Sequence, residues 1–588
     1  MKHVISWDFF LSGRRPYGWL ILLTILVYGH VLLYSEYTYF DDYILIAQSF
    51  SHIDELSDIP HAFFDDAGHA GQGGNLYRPI LTITFILSAQ LSGEQLWGFH
   101  LTDLLLHVVA CCLLFMTLTG LGYSRGKSFA LTLLFCVHPV LTQSIAWTSG
   151  RNDSLLAIFV LPGFLTFHKY LHSGSIKWAL LHLLFFFLAL FTKETAVALP
   201  VLVLGSMVLY RADRLFSLQT LLLVVGWGMI VLNWRIMRYL AAIYPISNIE
   251  TTVTVIVSNL WMSLFFLGKI FWPFSLAFAP VPPDMSLTAG IGSALFLGLL
   301  ITLSPRRDWR TIVFGLGWFL LFLAPALFHH SVPPFLPKFY EHRIYVPFIG
   351  IIIILASLSL PPWGSLTKSV QGRLVTLLVL ILALMSYHHS QHFRDSITLR
   401  EYALRSSPHD LHLQNSIGRM LLPESLTARL AAYQRSSPGE KGINPHYPLW
   451  VEDLIDLQQK LEAERIIRPS DAEVLQSLGA LYFARGLFVQ SRSVLNDVLS
   501  VQPRNAEVYY NLGVLYFDAR KKREAEESFL RALEFNPGLS LAHGNLCYLY
   551  FEQNRFGEAR GHCEKAQQLG AWIAPQLVEA LKTDGGEK

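Results

Sequence analysis

Residues 176–211 read IKWALLHLLFFFLALFTKETAVALPVLVLGSMVLYR, a 36-residue apolar run broken by one polar step, Thr192-Lys193-Glu194. A bilayer core about 30 Å thick is crossed by a helix of about 20 apolar residues, so this run predicts two spans, 176–192 and 195–211, joined by a tight hairpin. Turn chemistry does not ask for a Lys-Glu pair there. Ionisable groups at membrane depth are expensive and persist where they are paired or functional, so the pair is either a mutual interfacial salt bridge or part of a site.

Outward from the hairpin, similar runs fall near 17–34, 98–120, 128–146, 153–170, 215–233, 287–303, 310–328, 343–360 and 372–388. Together they predict about eleven spans. Pro79–Leu91 and Val253–Phe274 are short or interrupted by polar residues and read as interfacial. The whole chain agrees: of 588 residues, 52% are hydrophobic and only 15% charged, with a mean hydropathy of +0.40. A single soluble domain is excluded, and 45 basic against 43 acidic residues without a long basic block excludes a nucleic-acid footprint. The first apolar run lacks a small-residue cleavage site and reads as a retained span.

Basic residues orient the bundle. Arg14/Arg15, Arg125/Lys127, Lys169/Lys177, Arg211/Arg214, Arg306/Arg307/Arg310 and Lys368/Arg373 all fall on one side if both ambiguous stretches stay interfacial. Cytoplasmic loops collect Lys and Arg, so that side is the cytoplasm. Asp41, Arg78, His138, Arg151, Lys193, Arg343 and the last 200 or so residues then share the opposite face.

Composition changes after Ser386, and from about Asp471 a 34-residue period appears. Pro469, Pro503 and Pro537 repeat at that spacing, as do Leu478, Leu512 and Leu546, Tyr482, Tyr516 and Tyr550, and Phe483, Phe517 and Phe551. The unit AEVYYNLGVLYFDARKKREAEESFLRALEFNP carries the tetratricopeptide pattern: Gly513, Ala525 and Ala532 let two helices approach, and Leu512, Tyr516 and Phe529 fill the gap. The expected organisation is all-α. A polytopic membrane domain over 1–390 contains a catalytic first external loop at 35–97, an irregular helical adaptor spans 391–470, and a tetratricopeptide-repeat solenoid spans 471–588.

Five cysteines are too few for a disulfide scaffold. Cys111, Cys112 and Cys136 lie in apolar segments and read as inert, whereas Cys547 and Cys563 lie on the two helices of one repeat and are close enough to pair in an oxidising compartment. No C-x-x-C pair is present and no cofactor is firmly indicated, with a divalent metal left open as an alternative. His100 and His107, on one apolar helix, read as packing residues.

Candidate chemistry clusters on the external face. Asp41 and Asp42 emerge from the first span, where a carboxylate can act as general base; the competing reading is a helix N-cap. Arg78, after Tyr77, opens an apolar stretch, and Arg343 opens a late span beside Glu341, His342 and Tyr345. An arginine fork matches phosphate oxygens, with snorkelling as the alternative. His138-Pro139 and Ser149-Gly150-Arg151-Asn152-Asp153 form a polar turn near Trp147.

FDDY, NLYRPILTITF, WGFHLTDLLLH, FCVHPVLTQSIAWTSGRNDSL, FTKETAVALPVLVL and FYEHRIYVPFIG, in that order and followed by the repeats, resemble the transmembrane and tetratricopeptide-repeat family of C-type (GT-C) glycosyltransferases, distant relatives of protein O-mannosyltransferases. The resemblance implies an inverting transfer of mannose or another hexose from a polyprenyl-phosphate donor to a protein hydroxyl on the non-cytoplasmic side. It implies that Asp41 or Asp42 is the base and that Arg78, Arg343, Lys193 and Glu194 form the donor and phosphate site. Tyr77, His138, Arg151, Asp153, Glu341 and Tyr345 would line it. His342 between Glu341 and Arg343 departs from the family pattern. The repeats would receive a polypeptide acceptor or partner. Alternatives are a glycan or lipid acceptor and a non-catalytic scaffold; a transporter would show Gly/Pro-broken spans in matching halves, which are not seen. The compact chain and short repeat array favour a bacterial inner membrane with a periplasmic site over an endoplasmic reticulum membrane with a lumenal one.

Overall fold

The computed structural model describes residues 11–35, 38, 45–46, 49–65, 76–241, 249–328, 338–359, 367–407, 451–484, 487–571, 577–578 and 581. Among them all regular structure is helical. The chain divides into two compact units, Met1–Asp395 and Ser396–Lys588.

Among the described residues of the first unit six helices are long and apolar enough to cross a membrane: Arg15–Leu33, Leu96–Gly120, Thr148–Ser173, Leu218–Leu240, Trp309–Leu327 and Val370–Phe393. The chain is an integral membrane protein. The expected span 128–146 is not one straight helix: Arg125–Cys136 and Pro139–Ala146 meet at 53°. Pro139 has no N–H to donate and its ring collides with the preceding turn, which breaks the helix there. Four other expected spans are shorter helices, Ile176–Thr192, Ala198–Tyr210, Thr288–Leu303 and Tyr345–Ser357, of 17, 13, 16 and 13 residues. At about 1.5 Å per residue none reaches about 30 Å unaided, so the expected eleven are not all met by full-length helices. Pro79–Ser92 is one 14-residue helix. The second ambiguous stretch is two short helices, Ile249–Ser258 and Met262–Phe271.

Local chemistry sets these ends. Ser124 and Asp308 accept backbone N–H groups at the starts of Arg125–Cys136 and Trp309–Leu323. Arg78 precedes a proline, which keeps it out of the helix that Pro79 opens. Gly315 and Gly350 face each other so closely that a Cβ on either would strike the other's backbone carbonyl. Small residues of this kind allow helix backbones to touch in a membrane. That contact seats Tyr345–Ser357, and with it the Glu341–Ile344 turn that precedes it.

The second unit pairs Ala472–Ala484 with Phe488–Val501, Ala506–Asp518 with Lys522–Phe535, and Ser540–Glu552 with Phe556–Gln568. Before them lie the helices Ser396–Ser406 and Val451–Ile467. The breaker-rich stretch 438–448 and most of the degenerate half-repeat 407–421 lie outside the described residues. At one register position the three pairs solve the same packing problem in two ways. Gly479 abuts Leu495 and Gly513 abuts Phe529, each too close for a Cβ. In the last pair the equivalent residues are Cys547 and Cys563, bridged by a disulfide across a Cα–Cα distance of 5.1 Å. This closes a loop of 16 residues. A crosslink over such a loop contributes about 3 kcal/mol. Reducing the full chain, or substituting Cys547→Ser with Cys563→Ser, is therefore expected to expose the last helix pair to limited proteolysis earlier on heating. An unchanged cleavage profile with and without reductant would show that the crosslink adds nothing.

Candidate active site

The 176–211 run turns where the sequence breaks. Ile176–Thr192 ends, Lys193 takes an extended conformation, and the turn Glu194–Val197 starts the return. The two charged side chains of the tip diverge, so they do not form the mutual salt bridge that would explain them trivially. Lys193 Nζ donates to both carboxylate oxygens of Asp153, at 2.7 and 2.8 Å, and to Asn152 Oδ1 at 2.8 Å. Asp153 lies in the first turn of Arg151–Ser173, where the helix dipole favours a negative charge. Glu194 receives the Arg78 guanidinium as a fork, Nη2 to Oε1 at 2.8 Å and Nε to Oε2 at 3.3 Å. Arg78 is 11% exposed and Glu194 43%, so the carboxylate is the member open to solvent.

A third segment joins them. His342 Nε2 lies 3.7 Å from Asp153 Oδ2, and its backbone N–H donates to Gln143 Oε1 at 2.9 Å. Its ring packs against Trp147 and Tyr340. Arg343 lies over Tyr340, 5.4 Å from the ring centre, and its Nη1 is 3.4 Å from the Ala326 carbonyl. Arg78, Lys193 and Arg343 thus meet Asp153 and Glu194 in one neighbourhood.

Electrostatics follow from that crowding. Burial pulls the Lys193 ammonium below its ordinary pKa, and Asp153 opposes it. Burial would raise Glu194, but the charges of Arg78 and Lys193 prevail and hold its carboxyl down at about 2. Burial, reinforced by Lys193, Arg343 and Arg78, keeps His342 well below the usual imidazole range and therefore neutral. Three cations face two carboxylates, leaving one positive charge in excess. A site of this kind suits an anion.

Other expected residues hold the frame. The Tyr77 hydroxyl donates to the Phe63 carbonyl at 2.8 Å and its ring packs on Phe191, which fixes the loop beside Arg78. His138 caps the turn after the helix break, accepting from Val140 N and donating to the Ile270 carbonyl. The Tyr345 hydroxyl lies 2.7 Å from His107 Nδ1, whose Nε2 lies 2.9 Å from the Cys136 carbonyl. A carbonyl only accepts, so Nε2 carries the proton and the tyrosine donates to Nδ1. Arg151 is wholly enclosed: Nε donates to Asp103 Oδ1 at 2.6 Å, and its other nitrogens reach Thr84, Ser88 and the Phe99 carbonyl. With 0% of its side chain exposed, Arg151 offers a ligand no surface and belongs to the packing. Glu341 accepts from Lys269 at 2.9 Å and from Ala277 N at 2.8 Å, latching the 341–344 turn to a neighbouring segment. Asp41 and Asp42 lie outside the described residues.

Sequence reasoning missed Asp103, Lys269 and Asn152 as partners. Asp103 and Lys269 are charges inside apolar stretches, a signal that could have found them. His107, Cys111 and Cys136 bring three ligand atoms within 4.8 Å of one another. Both imidazole nitrogens are already engaged, so packing accounts for the trio.

A tetratricopeptide-repeat family model matches residues 506–539. Over 444 residues the chain is 25% identical to Protein O-mannosyl-transferase TMTC4 of Homo sapiens, covering 61% of this chain and 57% of that protein. Over 380 residues it is 23% identical to Protein O-mannosyl-transferase F38B6.6 of Caenorhabditis elegans, covering 60% and 52%. The chain thus spans about half the length of the curated relatives it matches. A crystal structure of ArnT from Cupriavidus metallidurans bound to undecaprenyl phosphate aligns over 90% of this chain and 80% of that one, with 14% identity and a TM-score of 0.34, below the level at which a shared fold follows. The sequence matches and the repeat make the chain a TMTC-like protein, a relative of the transmembrane and tetratricopeptide-repeat family.

Proposed function

We propose that the chain is a membrane glycosyltransferase that moves mannose or another hexose from a polyprenyl-phosphate donor to a hydroxyl of a protein acceptor on the non-cytoplasmic face. The observation that carries this reading is the meeting of Arg78, Lys193 and Arg343, from three separate segments, at one end of the bundle. The relatives' names point the same way. In the proposed topology the shorter helices also cross, giving eleven spans, and the domains divide at about 390 and 470. The Cys547–Cys563 pair suits an oxidising compartment, which favours the periplasm or a lumen for the repeats.

In the reaction, Asp41 or Asp42 takes the proton of the acceptor hydroxyl as its oxygen bonds to the sugar's anomeric carbon. The bond from that carbon to the phosphate oxygen breaks, and the electron pair leaves with the polyprenyl phosphate, which gains a second negative charge. Attack from the face opposite the phosphate inverts the anomeric configuration. The lipid phosphate is already a good leaving group, so orientation and charge stabilisation carry the step. Arg78, Lys193 and Arg343 supply the charge, Asp153 and Glu194 hold two of them in place, and the repeats offer a concave face for an extended or helical polypeptide.

The test is reconstitution of the full chain in nanodiscs with a polyprenyl-phosphate hexose and an extracytoplasmic protein fraction, read by intact mass. A gain of one hexose is expected; no gain with any supplied donor would overturn the reading. Arg78→Ala is expected to weaken donor binding about tenfold while leaving acceptor binding intact, because it removes a charge-assisted fork.

A further inference from the structure

The Leu218–Leu240 helix runs past the apolar segment expected at 215–233 and carries Arg235 and Arg238 in its last turns. Trp234, Met237 and Ala241 at this end pack against the Tyr77–Phe191 pair. That contact brings the helix end to the Arg78 loop and the Lys193 hairpin. The Arg238 guanidinium lies 5.4 Å from the centre of the Trp234 ring. Its Nε is enclosed and has no hydrogen-bond partner among the described residues. Arg238 interacts electrostatically with Glu194 and Arg78.

Snorkelling is the ordinary reason for an arginine at a span's end, but it delivers the head group to water. Here the side chain is half-buried rather than delivered wholly to water: Nε is enclosed, its guanidinium lies beside the Trp234 indole, and that donor is left without an acceptor next to an anion site. The position is also unusual. In the topology proposed above this helix enters from the cytoplasm after Arg211 and Arg214 and ends on the external side, where basic residues are scarce. Arg238 lies in the last turn, where the helix dipole favours a cation, which accounts for its charge but not for its enclosed, unpartnered Nε; Arg235, about one turn earlier, is exposed.

We propose that Arg238 is a further anion-binding residue of this site, donating to the phosphate of the lipid-linked donor together with Arg78. The inference rests on reading Arg78 as part of a donor-phosphate site. It assigns the end of the Leu218–Leu240 helix to substrate recognition, a role absent from the candidates that the sequence motifs provide.

The test measures binding of a polyprenyl phosphate, with the matching polyprenol as neutral control, to the full chain in nanodiscs. Arg238→Ala is expected to weaken phosphate binding about tenfold with polyprenol binding unchanged, and Arg238→Lys to recover part of the loss through its charge without the fork. Arg235→Ala should bind as the parent does. If Arg238→Ala does not purify as a monodisperse protein, Arg238→Gln carries the same comparison. Phosphate binding unchanged by loss of Arg238 but weakened by Arg78→Ala would overturn this inference and leave the site reading standing. A parent chain that does not prefer the phosphate to the polyprenol, or an Arg78→Ala variant that binds like the parent, would overturn both.

Discussion

Arg151→Leu is expected to destabilise the membrane unit by about 3–5 kcal/mol, the range for breaking a buried ion pair from one side. Asp103, itself 0% exposed, would remain as a buried carboxylate without its arginine. The Phe99 carbonyl and the Thr84 and Ser88 hydroxyls would lose a donor at the same time. The guanidinium also lies 4.5 Å from the centre of the Phe85 ring, so packing is lost together with charge. The measurement is the temperature at which the full chain in detergent loses monodispersity. Arg151→Lys should recover little, because an ammonium cannot reach several acceptors spread around a planar fork. Arg151→Leu combined with Asp103→Leu should recover much of the loss, since removing both charges spares the desolvation cost. If the double variant is as unstable as Arg151→Leu alone, the pairing is not the source of the stability.

The same pair shows how far the sequence could be read. Arg151 stood out as a charge in a polar turn beside Asp153, and proximity along the chain suggested that the two act alike. Folding separates them. Arg151 turns into the packing toward Asp103, 48 residues away, while Asp153 turns to Lys193. Helix periodicity and apolar length were legible because they are local: the expected 98–120 span is the Leu96–Gly120 helix, and the 34-residue spacing reappears as helix pairs. Which charge meets which was not, because partners such as Arg78 and Glu194 are 116 positions apart. The span count suffered for another reason. Apolar character marks a segment as buried, but a helix enclosed by neighbours or ending in a polar hairpin can be apolar without being about 20 residues long. Tyr77, His138 and Tyr345 illustrate the remaining ambiguity: a polar side chain beside an apolar run is equally suited to a site or to a hydrogen bond that fixes a joint.

The three aspartates assigned to the site are expected to fail in different ways. Asp41→Asn and Asp42→Asn, made separately, should identify the base: one of them should lower hexose transfer by about 10²–10⁴-fold, the usual contribution of a positioned proton acceptor, with donor binding retained. If neither changes transfer, the base lies elsewhere. Asp153→Asn should act through Lys193 instead. Burial already pulls the Lys193 ammonium below its ordinary pKa and Asp153 pushes it back up. An amide in place of the carboxylate removes that support, so the lysine gives up its proton at lower pH. The charged form is the one that attracts phosphate, and donor affinity in Asp153→Asn should therefore decline earlier as pH rises than in the parent. Lys193→Met should bind donor weakly at every pH and lose that component of the alkaline decline. Measuring donor affinity between about pH 6 and 10 separates the two roles, because loss of a base lowers the rate without moving the binding curve. An alkaline limb that stays in place in Asp153→Asn would mean that Lys193 does not hold the donor, and the charge at this end of the bundle would then have to come from the arginines alone.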